Sequence, residues 1–217
     1  MIKAVIFDLD GLLLDSEIVA FKVYEELGKR FSFTLTLPDF MENFCGRPLR
    51  RNVAYCNERF QLPWSLDEAV EEVLRIEKNI LDEGVEVMPG ARELLIFLKE
   101  NGYKTAVASS SARERSMRLL EQHNLIAYFD DYVFGPEVEK SKPNPDIFLK
   151  AAEKIGVPPE CCLVLEDSQA GIQAGFTAGM YVICIPDLKP PTQEYVDMAT
   201  DVKESLFDII DYLKSQL

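Results

Sequence analysis

The chain has 217 residues, of which 47% are hydrophobic, and charged residues interrupt its apolar runs before any reaches the length of a membrane span. We therefore expect a globular protein with one full domain, room for a second small one, and no membrane partner. The net charge of −14 repels a phosphate backbone, which argues against nucleic acid as a partner. No secretory signal is recognisable, and the five cysteines form no CxxC pair, so we expect reduced thiols and a cytoplasmic location.

The first predicted strand, AVIF at 4–7, runs directly into two acidic residues in the stretch VIFDLDG. Asp8 and Asp10 occupy alternate positions, so on an extended chain both side chains project from the same face. One carboxylate can then attack a substrate while the other transfers a proton. Gly11 allows the backbone to turn sharply and to approach a ligand closely. The alternative is a loop of solvated acids at the end of a strand.

Residues 16–82 contain helical patterns and no convincing strand. The clearest helix begins in SLDEAVEEVLRIEKNIL, where Ser65 and Glu68 form the S-x-x-E pattern of a capping box. We therefore predict a small helical cap domain over residues 16–82, inserted into a core domain formed by residues 1–15 and 83–217.

Strands and helices alternate in the remainder of the chain. Further β-branched runs are predicted as strands at 105–109, 132–134, 162–166 and 181–185, and they are apolar almost throughout, as in strands covered on both faces. Helical patterns in GARELLIFLKENG and NPDIFLKAAEKIG separate them. This alternation predicts an α/β fold with a doubly wound parallel sheet.

Ligands of such sheets bind beyond the carboxyl ends of the strands, so the residues found there predict a site. Several carboxylates at one edge need shifted pKa values or a bound cation. Oxygen ligands favour Mg²⁺, and zinc is disfavoured because His123 is the only histidine. Ser109 can instead cap a helix, and Lys140 competes with Lys142 for the cationic role. The strand-end candidates are Asp8, Asp10, Ser109 with Ser110 and Ser111, Lys140, Lys142, Glu166 and Asp167.

Four segments together resemble the ordered motifs of the haloacid dehalogenase superfamily. They are FDLDGLLLDSE, the strand-end Ser109, KPNPDIF and LEDSQAGIQAG, and the resemblance to the β-phosphoglucomutase-like branch spans the whole chain. It implies a Rossmann-like core with a helical cap and an enzyme that uses Mg²⁺.

By this resemblance, Asp8 is the nucleophile and Asp10 the general acid and base, Ser109 holds the phosphoryl oxygens, and Lys142 offsets the charge shared by Asp8 and the phosphate. The metal would be bound by Asp8, the Asp10 main-chain carbonyl and Asp167, with Glu166 contributing directly or through water.

The resemblance leaves phosphatase and mutase open. β-Phosphoglucomutases carry a histidine early in the first cap helix, whereas this chain has Ala20 and Phe21 there. We therefore expect a phosphatase for a small phosphate ester, most plausibly a sugar phosphate, with a phosphomutase as the alternative. A noncatalytic metal-binding module is disfavoured because neither aspartate is missing, and a monomer or weak homo-oligomer is expected.

Substrate contacts are predicted from both domains. Arginines crowd the cap segment FCGRPLRRN, and guanidinium groups suit bidentate contacts with phosphate or carboxylate. Arg47 and Arg50 are spaced to share a helix face. The predicted substrate-binding residues are Gly11, Ser110, Glu17, Arg47 and Arg50.

Overall fold

A computed structural model describes residues 1–45 and 47–215, and in these residues six parallel strands form the sheet. The strands are β1 (Ala4–Phe7), β2 (Lys104–Ser109), β3 (Asp131–Phe134), β4 (Cys162–Glu166), β5 (Tyr181–Cys184) and β6 (Asp201–Val202). Their spatial order is β3-β2-β1-β4-β5-β6, so the direction of winding reverses between β1 and β4. In doubly wound sheets that reversal opens the crevice in which ligands bind.

The chain divides into two compact units. One comprises Met1–Leu14 and Val87–Leu217, and the other comprises Asp15–Glu86, whereas the sequence placed the inserted domain at 16–82. The second unit is helical, with α1 (Ser16–Phe31), α2 (Leu37–Asn43), α3 (Leu49–Phe60) and α4 (Leu66–Glu83).

The second unit is held together by its own aromatic core. Tyr24 of α1 packs against Phe44, with ring centroids 4.7 Å apart, and Phe21 packs against Phe40 at 5.6 Å. The predicted capping box is present at the start of α4, where the Ser65 and Glu68 side chains each bond the other residue's backbone N–H. This unit therefore has the buried apolar residues and the helix cap of an independent small domain.

Helices flank the sheet in the first unit. They are α5 (Ala91–Glu100), α6 (Arg113–Gln122), α7 (Asp146–Ile155), α8 (Gln169–Thr177), α9 (Gln193–Val196) and α10 (Leu206–Lys214). Every residue of β1 and β4 is buried, which explains why their sequences are apolar throughout rather than alternating. Gly156 ends α7 in the left-handed conformation, with φ of 69°. The α/β prediction is confirmed, and the short β6 was not foreseen.

Two further expectations concern the surface and the thiols. Within residues 1–45 and 47–215, no helix combines the length and the apolar character needed to cross a bilayer. All five cysteines are free, as expected, and all but the half-buried Cys161 are buried.

Candidate active site

The loop after β1 places two carboxylates at the switch point of the sheet. The Asp8 N–H donates to the Leu165 carbonyl at 3.1 Å, which extends the pairing of β1 with β4 up to the first aspartate. Gly11 then adopts φ of 82°, a left-handed conformation that favours glycine, and its N–H donates to the Leu14 carbonyl at 2.9 Å. The loop therefore folds back on itself directly behind the acidic pair.

A buried lysine connects three neighbouring strands at this edge. The Lys142 ammonium, from the loop between β3 and α7, donates to the Asp8 carboxylate, to Glu166 Oε1 at 2.6 Å and to the Ala108 carbonyl at 3.0 Å. Its side chain is only 6% exposed. Two buried carboxylates therefore share one fixed cation, which supplies much of the counter-charge that the sequence led us to expect.

Burial and neighbouring charges both shift the pKa values of Asp8 and Lys142. Burial raises the pKa of Asp8 to about 7; Lys142 opposes that rise, while the Glu166 and Asp10 carboxylates add to it. Burial lowers the pKa of Lys142, but Asp8 and Glu166 more than offset that effect and hold it above its usual range. The charged form of Lys142 is therefore favoured, whereas burial favours the protonated form of Asp8.

Both oxygens of the Glu166 carboxylate accept hydrogen bonds within the protein. Glu166 Oε1 accepts from Lys142, while Oε2 accepts from the Ser168 N–H at 3.1 Å and from the Ser168 hydroxyl at 2.9 Å. The residue is 0% exposed. A Cβ on Gly171 of α8 would lie much closer than 3.0 Å to this carboxyl group, so the glycine makes room for it. Both Glu166 oxygens are therefore engaged within the protein, and a contribution of Glu166 to the metal, directly or through water, stays a prediction.

Asp10 is held by residues that the sequence did not single out for this role. The Ser111 hydroxyl donates to Asp10 Oδ2 at 2.7 Å, and Arg115 Nη1 donates to Asp10 Oδ1 at 2.8 Å. Ser109 lies beside them, with its Oγ 3.4 Å from Asp10 Oδ2 and accepting from the Ser111 N–H at 3.1 Å. The loop after β2 thus surrounds the second aspartate.

Two more carboxylates lie against Gly11. A Cβ at Gly11 would be 2.6 Å from Asp167 Oδ2 and 3.3 Å from Asp187 Oδ2, so the two oxygens lie within about 6 Å of each other. Asp167 was predicted, whereas Asp187 was missed. It follows β5 in the segment IPD, so the strand-end argument used for the other strands would have found it.

The donor set suits a hard cation such as Mg²⁺. Among the described residues, no three or more His, Cys, Asp or Glu side chains are grouped as a ready metal site. Mg²⁺ does not require such a group, because it uses one or two carboxylates and takes water and phosphate oxygens for the rest. Asp8, Asp167 and the Asp10 carbonyl offer oxygen only, and the missing Cβ of Gly11 leaves the space that Asp167 occupies.

The other predicted residues lie in varied surroundings. Ser110 and Lys140 are exposed, and the Ser110 backbone carbonyl packs closely against Gly135. Glu17 is in the first turn of α1. Arg50 is 61% exposed and pairs with Asp67 at 2.8 Å.

One prediction about the arginines is wrong. Arg47 precedes Pro48, the N-cap of α3, so it does not share a helix face with Arg50. Its guanidinium instead lies 6.0 Å from the centre of the Tyr55 ring. Participation of Arg47 and Arg50 in substrate binding stays a prediction.

Comparisons with known proteins agree with this architecture. The model of the haloacid dehalogenase-like hydrolase family matches residues 5–185. The chain is 34% identical to a phosphorylated carbohydrates phosphatase of Thermotoga maritima, over 82% of each chain. It is 33% identical to hexitol phosphatase B of Escherichia coli, over 85% of this chain and 84% of that one.

A solved structure resembles the whole fold. β-Phosphoglucomutase from Clostridium difficile superimposes with a TM-score of 0.78 at 25% identity, covering 100% of this chain and 97% of that one. The family match extends from β1 into the residue after β5, so it includes all the strands that carry the charged site. The chain therefore belongs to the haloacid dehalogenase-like hydrolase family and is a phosphatase enzyme of that family.

Proposed function

We propose that this enzyme hydrolyses phosphate monoesters of small sugars or related metabolites in two steps, through a phosphorylated Asp8. The contact of Lys142 with both Asp8 and Glu166 is the observation that supports the proposal most strongly. It gives a buried carboxylate a fixed cation at the switch point, where ligands of this fold bind. A purely structural ion pair would not need a second carboxylate, Asp10, on the same loop.

In the first step, an Asp8 oxygen attacks phosphorus and the bond to the ester oxygen breaks. The departing alcohol oxygen takes a proton from Asp10, which acts as general acid. Lys142 offsets the negative charge that Asp8 and the phosphoryl oxygens bring together. Ser109, which is buried at the end of β2, donates its hydroxyl to a phosphoryl oxygen.

In the second step, water replaces the alcohol. Asp10 now acts as general base, accepting a proton as the water oxygen attacks the phosphorus of phospho-Asp8. Cleavage of the acyl phosphate bond releases inorganic phosphate and restores the Asp8 carboxylate. One difficult displacement is thus divided into two easier ones.

We assign Asp8, Asp167 and the Asp10 carbonyl as the residues that hold Mg²⁺. Bound there, the ion supplies positive charge to the phosphoryl oxygens. Glu166, which is fully buried, is assigned the role of keeping the Lys142 ammonium in place.

The substrate class rests on the relatives, which are named for phosphorylated carbohydrates and hexitol phosphates. Glu17, Arg47 and Arg50 of the second unit, with Gly11 and Ser110 of the first, are proposed to contact the substrate. The five free cysteines support a cytoplasmic location. A monomer or weak homo-oligomer stays a prediction.

A phosphomutase is the second candidate, because the fold superimposes on a β-phosphoglucomutase. Against it, the helix α1 has Ala20 and Phe21 where a mutase histidine is expected, and Phe21 packs into the aromatic core at 5.6 Å from Phe40. A mutase would be activated by a sugar bisphosphate and would release phosphate slowly. A phosphatase would release phosphate at the rate at which it consumes substrate.

A phosphate-release screen over phosphorylated sugars, alditols and nucleotides, with Mg²⁺ or with EDTA, tests the proposal. We expect turnover of sugar or alditol phosphates that requires Mg²⁺ and is lost in Asp8→Asn. With 4-nitrophenyl phosphate, whose leaving group needs no proton, the Asp10→Asn variant should complete the first step but lack the base for the second. Phospho-Asp8 should then accumulate, and intact-mass spectrometry would detect the added phosphoryl group. Full activity of Asp8→Asn would refute the mechanism.

A further inference from the structure

Arg115 stands out because its position is unfavourable for the helix that carries it. It lies in the first turn of α6, which begins at Arg113 and has no side-chain cap. The positive end of a helix macrodipole stabilises acidic residues there and opposes cations, typically by about 0.3–1 kcal/mol. Local helix stability therefore does not explain an arginine at this position. The contact that its side chain makes with a residue distant in the sequence offers an explanation.

That contact is with the proposed acid and base. Arg115 Nη1 is 2.8 Å from Asp10 Oδ1, across a sequence separation of 105 residues. The two side chains are only 22% and 28% exposed, so solvent screens the pair less than it would screen a surface ion pair. The Ser111 hydroxyl binds the other oxygen, Oδ2, at 2.7 Å. With different partners on its two oxygens, the carboxylate is fixed in direction as well as in place.

The two cations of the site therefore act on different aspartates. Lys142 binds Asp8 and Glu166, while Arg115 binds Asp10 and approaches the Ser111 hydroxyl at 3.5 Å. Arg115 has no proton to give at any working pH, so it cannot replace Asp10 in proton transfer. Its geometry suits holding the carboxylate in line with the ester oxygen.

We propose that Arg115, assisted by Ser111, is the positioning residue for Asp10 and sets how well this enzyme expels poor leaving groups. The inference rests on the proposed function, because it takes Asp10 as the group that protonates the departing oxygen. A correctly placed general acid contributes about 10²–10⁴-fold to rate, and a misplaced one loses part of that factor. The rate should fall only for esters whose leaving group needs a proton.

The experiment compares kcat/KM for an alkyl ester, sorbitol 6-phosphate, and for 4-nitrophenyl phosphate in Arg115→Met. We expect a fall of about 10–100-fold for the alkyl ester and of less than about 3-fold for the aryl ester. Arg115→Lys should recover part of the alkyl activity. The value of kcat/KM is used because it reports the first step, before the common phosphoenzyme.

Arg113→Met is the matched control, since Arg113 lies in the same helical turn but contacts Glu137 at 3.3 Å and the Phe134 ring instead. It should leave both esters unaffected. Equal losses for both esters in Arg115→Met, or no loss, would overturn the inference.

A second readout does not depend on turnover. The crystal structure of the wild type should show the Asp10 side chain in one rotamer. In the structure of Arg115→Met, this side chain should adopt a different rotamer or two rotamers. An unmoved Asp10 side chain would overturn the inference. If the wild type hydrolyses no ester in the phosphate-release screen, the proposed function fails, and the rotamer comparison alone decides the role of Arg115.

Discussion

Gly171→Ala tests whether the buried Glu166–Lys142 pair depends on the helix packed above it. A Cβ at Gly171 would lie much closer than 3.0 Å to the Glu166 carboxyl group, which is 0% exposed. The carboxyl must therefore move and lose its bonds from Lys142 at 2.6 Å and Ser168 at 2.9 Å. Overpacking costs about 1–3 kcal/mol, and leaving buried groups unpaired adds about 1–3 kcal/mol.

Alanine is the better helix former by about 1 kcal/mol, which offsets only part of that cost. We expect Gly171→Ala to lower the free energy of unfolding by about 2–4 kcal/mol, measured in urea, and Tm by about 5–15 °C. Activity should fall at least about 10-fold, because Lys142 loses the carboxylate that anchors it.

The double variant Gly171→Ala with Glu166→Ala separates the clash from other effects. Removing the carboxyl removes the steric conflict. The loss in free energy of unfolding of the double variant should therefore be smaller than the summed losses of the two single variants by about 1 kcal/mol or more. Its activity should stay low, since Lys142 still lacks Glu166. Wild-type stability and turnover in Gly171→Ala, or strict additivity in the double variant, would refute the reasoning.

Three other predictions follow from the charges and the turn. The pKa of Asp8 is about 7 in the folded protein and 3.8 ordinarily, so without Mg²⁺ the stability it contributes should decline as pH rises from about 4 to 7, by on the order of 4 kcal/mol. Asp8→Asn should lack that part of the pH slope in urea titrations, and parallel curves would contradict the assignment. Lys142→Met removes the cation between two buried carboxylates. We expect the free energy of unfolding to fall by about 3–5 kcal/mol at pH 8 and by less at pH 5. The value of kcat should fall at least about 100-fold. An equal loss of stability at both pH values would argue against the charge explanation. Gly11→Ala meets a φ of 82° and places a Cβ 2.6 Å from Asp167 Oδ2, so Mg²⁺ affinity measured by calorimetry should fall at least about 10-fold, whereas Gly102→Ala, also at positive φ but facing open space, should bind Mg²⁺ normally.

The sheet and most of the site were predictable because strand ends are legible in a sequence. Apolar β-branched runs mark strands buried on both faces, and in a parallel sheet their carboxyl ends meet at one edge. Asp8, Ser109 and Glu166 follow from that rule alone. The strand β6 (Asp201–Val202) escaped because two residues with no apolar run carry no signal of their own.

The partners of these residues were harder to predict, because they depend on side-chain reach. Arg115 lies six residues beyond Ser109, on a helix, and nothing in its spacing indicates that it contacts Asp10. The resemblance predicted a metal role for Glu166, direct or through water, whereas the bonds that its two oxygens accept from Lys142 and Ser168 depend on side-chain reach that the sequence does not show.

The arrangement explains how an acidic protein can accept an anionic substrate. The chain carries a net charge of −14, so a phosphate ester approaches it against the average field. At the switch point, however, each aspartate of the reacting pair already has a cationic partner, Lys142 for Asp8 and Arg115 for Asp10. A phosphoryl group entering here would meet carboxylates whose charge is partly offset, because Lys142 is shared between Asp8 and Glu166. In the proposed mechanism, the same two side chains would both offset negative charge at the site and hold the two aspartates in place.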